Sequence, residues 1–363
     1  MRLKKLAAAF LAALMLGGCA SEQSSTAESS SQPTETTAAA ATTTTAAATT
    51  AAGTTSAASE AETESSTAEK PASEITPLMW EVTSDKGGKL VLMGSMHALT
   101  EDCYPLPEII TSALDSADAL AVECDVTNTA ANLAAQMSEL QEMYYSDGST
   151  IADHLSPEVL AGVQGFAEAC GFSLALYRTA KPWVYTVLME SAVMSQTDLD
   201  LSLSIDMALT KLAKEKGKEI IELESAEFQT GIISGLSDET CEVLLSFYTA
   251  DTKEQMVQQM NDMFTAWTKG EYDYFANAND VSSIEGELKT LTEEEAEHFR
   301  SVWLDYNEQM LFSRNRSMTA KAEQLLEEGR NVFLVVGTAH FCGDKGIVEL
   351  LKADGYEVRQ IQP

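Results

Sequence analysis

Positive charge is scarce in this chain. Lys and Arg number 23 against 56 Asp and Glu, a formal net charge of -33. Phosphate backbones are held by clustered basic surface, so the deficit argues against a nucleic-acid partner. It argues equally against electrostatic docking on an anionic membrane. Cysteine is limited to six residues with no C-x-x-C spacing, and with Cys19 set aside an odd number remains, which supports neither a disulfide framework nor a zinc ribbon. Cys342, two residues after His340, reads better as a buried inert thiol than as a ligand. Also missing are H-E-x-x-H, G-x-S-x-G, a P-loop and G-x-G-x-x-G, so zincin, serine-hydrolase, nucleotide and Rossmann chemistries have no support. Histidine is rarest of the polar types, with four copies.

The N-terminus supplies what the charge balance denies. Arg2, Lys4 and Lys5 precede an apolar segment from Leu6 to Leu16, which fits a secretory signal and is too short to cross a bilayer comfortably. Leu16-Gly-Gly-Cys19 resembles a bacterial lipobox, so residues 1–19 are expected to be a lipoprotein signal with Cys19 as the lipidated residue. Residues 20–74 are almost wholly Ser, Thr, Ala, Glu and Gln and cannot build a core. As a flexible coil they would span roughly 40 Å, which suits a tether. Residues 75–363 are apolar enough for one large domain or a core with an elaborate insertion. The expected location is extracytoplasmic, on the bacterial cell membrane, through the lipid alone.

Within the domain, Leu78 to Ser84 and Lys89 to Met93 flank Asp85-Lys-Gly-Gly88 and predict a hairpin. The segment from Lys89 to Asp125 has the length of a βαβ unit, its helix following Pro105-Leu-Pro107. Lys218 to Glu224 and Asn331 to Gly337 read as further parallel strands after helices stopped by Gly217 and Gly329, and Tyr356 to Ile361 as an edge strand. Residues 126–326 are mainly helical, with an N-cap at Ser156-Pro157, a capping box from Thr292 to Glu295, and Met and aromatic packing over Met256 to Trp267. The fold expected is α/β, with a mixed, mainly parallel central sheet and a large helical insertion.

Two histidines share one setting. Lys89-Leu-Val-Leu-Met-Gly-Ser-Met-His97 and Asn331-Val-Phe-Leu-Val-Val-Gly-Thr-Ala-His340 each run from an apolar strand through a glycine, Gly94 or Gly337, to His. Parallel strands end at one edge of a sheet, which would gather His97, Glu123, Glu224 and His340. Imidazole and carboxylate suit a divalent ion such as Zn, Mn, Fe or Co, and an ion there would activate water or polarise a carbonyl. Without metal, a His base with a Glu partner serves the same end. The plainer account of either His alone is a strand-end cap bonded to loop carbonyls. An acidic rim equally explains Glu219, Glu222 and Glu224. Arg314, in Arg314-Asn-Arg316, could bind a substrate carboxylate or carbonyl, or stand in a solvated basic turn.

These residues resemble a known family. Gly94-Ser-Met-His97, Glu123, Ser204-Ile-Asp206, Leu223-Glu224 with Gln229, Arg314-Asn315 and Gly337-Thr-Ala-His340 stand in the order of the TraB/GumN family. That family is related to the Tiki metalloproteases and more distantly to erythromycin esterase and ChaN-like proteins. The resemblance covers about residue 76 to the end. It implies the α/β fold with both G-x-x-H motifs at one site and, in the Tiki branch, divalent-metal-dependent peptide hydrolysis. It implies His97, Glu123 and His340 as catalytic or metal residues, with Glu224, Gln229, Arg314 and Asn315 lining the substrate pocket. Ser204 stands where glycine is expected, which weakens Asp206. The expected partner is a peptide or protein outside the cell. The alternative is a lipoprotein that binds metal, haem or peptide without turnover, as in pheromone or signal shutdown, and a third possibility is an inhibitory partner of another surface protein.

Overall fold

The computed structural model describes residues 73–361. The signal segment with Cys19, and the tether up to residue 72, lie outside the described residues.

Six strands form one sheet in the order β4-β3-β5-β2-β1-β6. They are β1 (Met79–Thr83), β2 (Lys89–Ser95), β3 (Ala119–Val122), β4 (Glu219–Glu222), β5 (Asn331–Gly337) and β6 (Glu357–Gln360). β2 pairs with β5, β5 with β3, and β3 with β4, all parallel; β1 is antiparallel to both β2 and β6. The mixed, mainly parallel sheet is therefore as expected. So is the opening hairpin.

The reason lies in the runs themselves. β3 is buried at all four positions, and β2 and β5 at every position after their first. Unbroken apolar strands of this kind need cover on both faces, which parallel central positions provide. Each Leu, Val or Phe buried there contributes about 1.5–3 kcal/mol. β4 and β6, with exposed Glu219, Glu222 and Glu357, take the two edges.

Helices surround the sheet. They are α1 (Glu108–Ser116), α2 (Thr129–Glu142), α3 (Pro157–Ala169), α4 (Pro182–Met194), α5 (Ile205–Glu215), α6 (Ala226–Ser234), α7 (Asp238–Leu245), α8 (Lys253–Thr268), α9 (Tyr272–Ala278), α10 (Ser282–Leu288), α11 (Glu293–Asn307), α12 (Ser313–Glu327) and α13 (Ile347–Ala353). Between β3 and β5 the chain is helical apart from β4 and short turns, so the insertion returns to the sheet once before leaving it again. α5 packs on β3 and β4, and α12 packs on β2 and β5. Ser156 and Thr292 cap α3 and α11, and Met256, Met260, Met263 and Trp267 of α8 are buried. Gly329 takes the left-handed conformation at φ 71°, which ends α12 and turns the chain into β5.

α11 and α12 are not separate rods. A π-helical turn at Glu308–Phe312 joins them, with helical backbone angles on both sides. Such a turn holds one residue more than an α turn, and here it lies directly before Arg314 and Asn315. Among the described residues no helix is long and apolar enough to cross a membrane.

Candidate functional site

The pairing register places the two G-x-x-H segments side by side. Ser95 pairs with Gly337 and Gly94 with Val336, so both strands turn off the sheet at the same level. A Cβ on Gly94 would stand 2.5 Å from Thr338 Oγ1 and 3.0 Å from Thr338 Cα. No side chain fits there, which gives the glycine of the first motif a packing reason. Thr338 Oγ1 then donates to Ser95 O at 2.9 Å, and Trp267 Nε1, from the helical insertion, donates to Gly94 O at 3.0 Å.

Glu123 follows the last residue of β3, whose partner Val335 lies two positions before Gly337. Its carboxylate is buried and engaged at both oxygens. Oε1 accepts from Gly337 N–H at 2.7 Å; Oε2 accepts from Gln229 Nε2 and Arg314 Nη2, each at 2.8 Å. Arg314 also grips Glu224, its Nη2 2.7 Å from Oε2 and its Nε 2.9 Å from Oε1. Gln229 Nε2 adds a second bond to Glu224 at 3.0 Å. One guanidinium thus serves two buried carboxylates, a geometry suited to its planar fork. Burial pushes the Glu123 carboxyl above the usual carboxylate range and the charge of Glu224 adds to this, against the pull of Arg314 and His97.

Each histidine is held at its Nδ1. His97 Nδ1 lies 3.0 Å from Asp206 Oδ2, and His340 Nδ1 lies 2.5 Å from Asn315 Oδ1. Asn315 Nδ2 donates to Lys345 O, which fixes the amide so that Oδ1 faces the ring. Since that oxygen only accepts, the proton of His340 belongs on Nδ1 and its Nε2 carries a lone pair. His340 Nε2 is buried without a hydrogen-bond partner, 3.7 Å from Glu123 Oε1. Burial, reinforced by the electrostatic effect of Arg314 and His97, holds this imidazole well below its usual range, so it is neutral. Asn279 Nδ2 donates to Ala339 O at 2.8 Å and pins the loop that carries it.

His97, Glu123 and His340 therefore stand at one end of the sheet, with His97 near enough to act electrostatically on both of the others. Glu224, Gln229, Arg314 and Asn315 come to the same place but behind it. Gln229, Arg314 and Asn315 are buried and the side chain of Glu224 is nearly so, and their contacts run mainly to Glu123, to His340 and to one another. Cys342 is buried, its thiol pushed up by burial. Asp206 was undervalued from sequence because Ser204 replaces the expected glycine. Ser204 instead caps α5, its Oγ accepting from Met207 N, and Asp206 in the first turn reaches His97. A buried acid just inside a capped helix was the available signal. Nothing in the sequence pointed to Asn279.

Imidazole and carboxylate are donors of the kind a divalent ion takes. Both imidazoles are held through Nδ1 by an oxygen acceptor, the arrangement that orients metal-bound histidines, and His340 presents Nε2. An unpartnered buried nitrogen otherwise costs about 1–3 kcal/mol. Among the described residues no group of three or more His, Cys, Asp or Glu is close enough to enclose an ion as it stands.

Comparison with known proteins identifies a family. Over 173 residues the chain is 30% identical to the uncharacterized protein YbaP of Escherichia coli (strain K12), a match covering 47% of this chain and 61% of YbaP. The same identity and coverage hold for YbaP of Shigella flexneri. A metalloprotease TIKI homolog of Amphimedon queenslandica is 24% identical over 164 residues, 43% of this chain and 32% of that protein. The chain thus spans about three fifths of the length of YbaP. No solved structure matches it significantly. The TraB/PrgY/gumN family matches residues 78–360, nearly all of the folded part and both G-x-x-H segments, and the chain belongs to that family.

Proposed function

We propose that this chain is a divalent-metal-dependent hydrolase, a peptidase, held outside the cytoplasm by a lipid on Cys19 and acting on extracellular or envelope peptides. The observation that carries this reading is His340 Nε2: buried, unprotonated, without a hydrogen-bond partner, and 3.7 Å from Glu123. His97 and His340 would hold the ion, the latter through Nε2. The ion, whether Mn, Co, Zn or Fe, supplies Lewis acidity and brings the pKa of water toward neutrality. Glu123, its proton affinity raised by burial, is suited to take a proton from water at the site. Arg314, Gln229 and Gly337 N–H keep that carboxylate fixed, while Asp206 and Asn315 fix the imidazoles. The name of the Amphimedon queenslandica relative is in keeping with this chemistry.

The test uses the full chain. Elemental analysis and peptide cleavage are compared with those of His97→Ala and His340→Ala; undiminished cleavage in both variants would end the reading. A second reading, a protein that binds metal, haem or peptide without turnover, is favoured by one observation. Both oxygens of Glu123 already accept from protein donors. Tight stoichiometric binding with no products across a peptide library would select it.

A further inference from the structure

α2 is an amphipathic helix turned the wrong way round. It packs on α6, and its partly buried face carries Asn132, Ala135, Gln136 and Glu139. Its outward face carries Leu133, Met137 and Leu140 at i, i+4 and i+7, exposed by 59%, 53% and 52%. α6 adds Phe228, half exposed, next to the buried Gln229 that holds Glu123. Surface helices normally show water their polar side, and an aligned apolar stripe left outside marks an interaction site. The helix also starts only a few residues after the candidate site. Glu123 is followed within a few residues by Asn128, which caps α2.

Charge decides what can sit there. Neither α2 nor α6 carries Lys or Arg, while Glu139, Glu142 and Glu227 stand on them; Lys214 of α5, at the start of α2, is paired with Asp125, and Lys181 lies beyond the end of α2. A second copy of so acidic a surface is repelled, and so is an anionic lipid headgroup. We propose that the outward face of α2, with Phe228 of α6, is a docking surface for a peptide segment combining apolar side chains with positive charge. On the reading of this chain as a peptidase, that segment belongs to the substrate and leads it toward Glu123 and the two histidines. The apolar side chains would cover Leu133, Met137 and Leu140, and the cationic groups would meet the surrounding carboxylates, so affinity should fall as salt rises.

The experiment measures fluorescence anisotropy of a labelled Lys/Leu peptide on the full chain and on its Leu133→Gln, Met137→Gln, Leu140→Gln triple variant. These positions are exposed, so the triple variant retains the fold, checked by circular dichroism. Expected are binding by the unmodified chain, weakening of about tenfold or more in the triple variant, and weaker binding of a Glu/Leu peptide. A His97→Ala, His340→Ala double variant should bind the Lys/Leu peptide as the unmodified chain does, so docking is scored separately from hydrolysis. Absent binding, equal binding by the triple variant, or equal binding of the two peptides would overturn the proposal. So would a dimer in sedimentation, or flotation with phosphatidylcholine vesicles, that the triple substitution abolishes.

Discussion

Asn315 Oδ1 lies 2.5 Å from Nδ1 of His340, with both side chains buried and the amide held from behind by Lys345 O. A neutral acceptor at this position sets the tautomer without adding charge, and the ring presents Nε2 toward Glu123. Asn315→Leu removes the acceptor while keeping approximate size. Nitrogen NMR of His340 should then lose the Nδ1–H signature. Metal affinity, measured by titration, should fall about 10–100-fold, the usual result of removing a partner that orients a ligating histidine. Unchanged affinity would separate the amide from the ion.

Arg314 is the only cation bonded to Glu123 and Glu224 among the described residues. Its removal strands two buried carboxylates. Arg314→Leu should therefore cost about 3–5 kcal/mol in urea unfolding. Adding Glu123→Gln and Glu224→Gln should recover part of the loss by removing the stranded charge, whereas a purely steric role for Arg314 would show no recovery.

Gly94→Ala forces a methyl to within 2.5 Å of Thr338 Oγ1. Overpacking of this kind costs about 1–3 kcal/mol. The double variant Gly94→Ala, Thr338→Ala should recover only part of it, because Thr338 Cα and Cβ, each at 3.0 Å, remain. Full recovery would mean that the hydroxyl alone sets the limit. Thermal unfolding of the single and double variants distinguishes the two.

Two desolvated groups give opposite pH slopes. His340 is held below its usual range near 6.5, so the unfolded chain binds more protons than the folded one as pH falls beneath that value, and stability declines with acid. Glu190 on α4 is pushed by burial up to about 8, with Oε1 lacking a partner. Here the folded chain binds the extra proton between its ordinary value of 4.5 and about 8, so stability falls as pH rises through that window. Glu190→Gln should match the unmodified chain in melting temperature near pH 4.5 and exceed it increasingly toward pH 8. A constant difference across the range would refute the titration.

The sheet was largely legible in the chain because its central strands are uninterrupted apolar runs, and such runs have few alternatives. The same logic brought His97, Glu123 and His340 to one edge, since parallel strands of equal register end together. Side-chain roles were less legible. That Arg314 and Gln229 spend their hydrogen bonds on Glu123 and Glu224, rather than facing a pocket, depends on helices that no periodicity orients about their axes. Asp206 and Asn279 act through contacts more than fifty positions away. The inverted face of α2 was hidden for another reason. Leu133, Met137 and Leu140 have the spacing of a core stripe, and only the folded chain reveals on which side they lie.

The wide turn at Glu308–Phe312 makes the aim of this apparatus a matter of counting. Wound at the ordinary α repeat over the same number of residues, the helix beyond it would be rotated by about 100°, carrying Arg314 away from both acids and Asn315 away from its ring. Loss of one residue inside the turn would merely take up the slack and leave both side chains on target. Loss of a second residue would leave no slack and turn both away by about 100° while every strand stayed in place. Drift in chain length across those five positions should therefore be forgiven once and not twice.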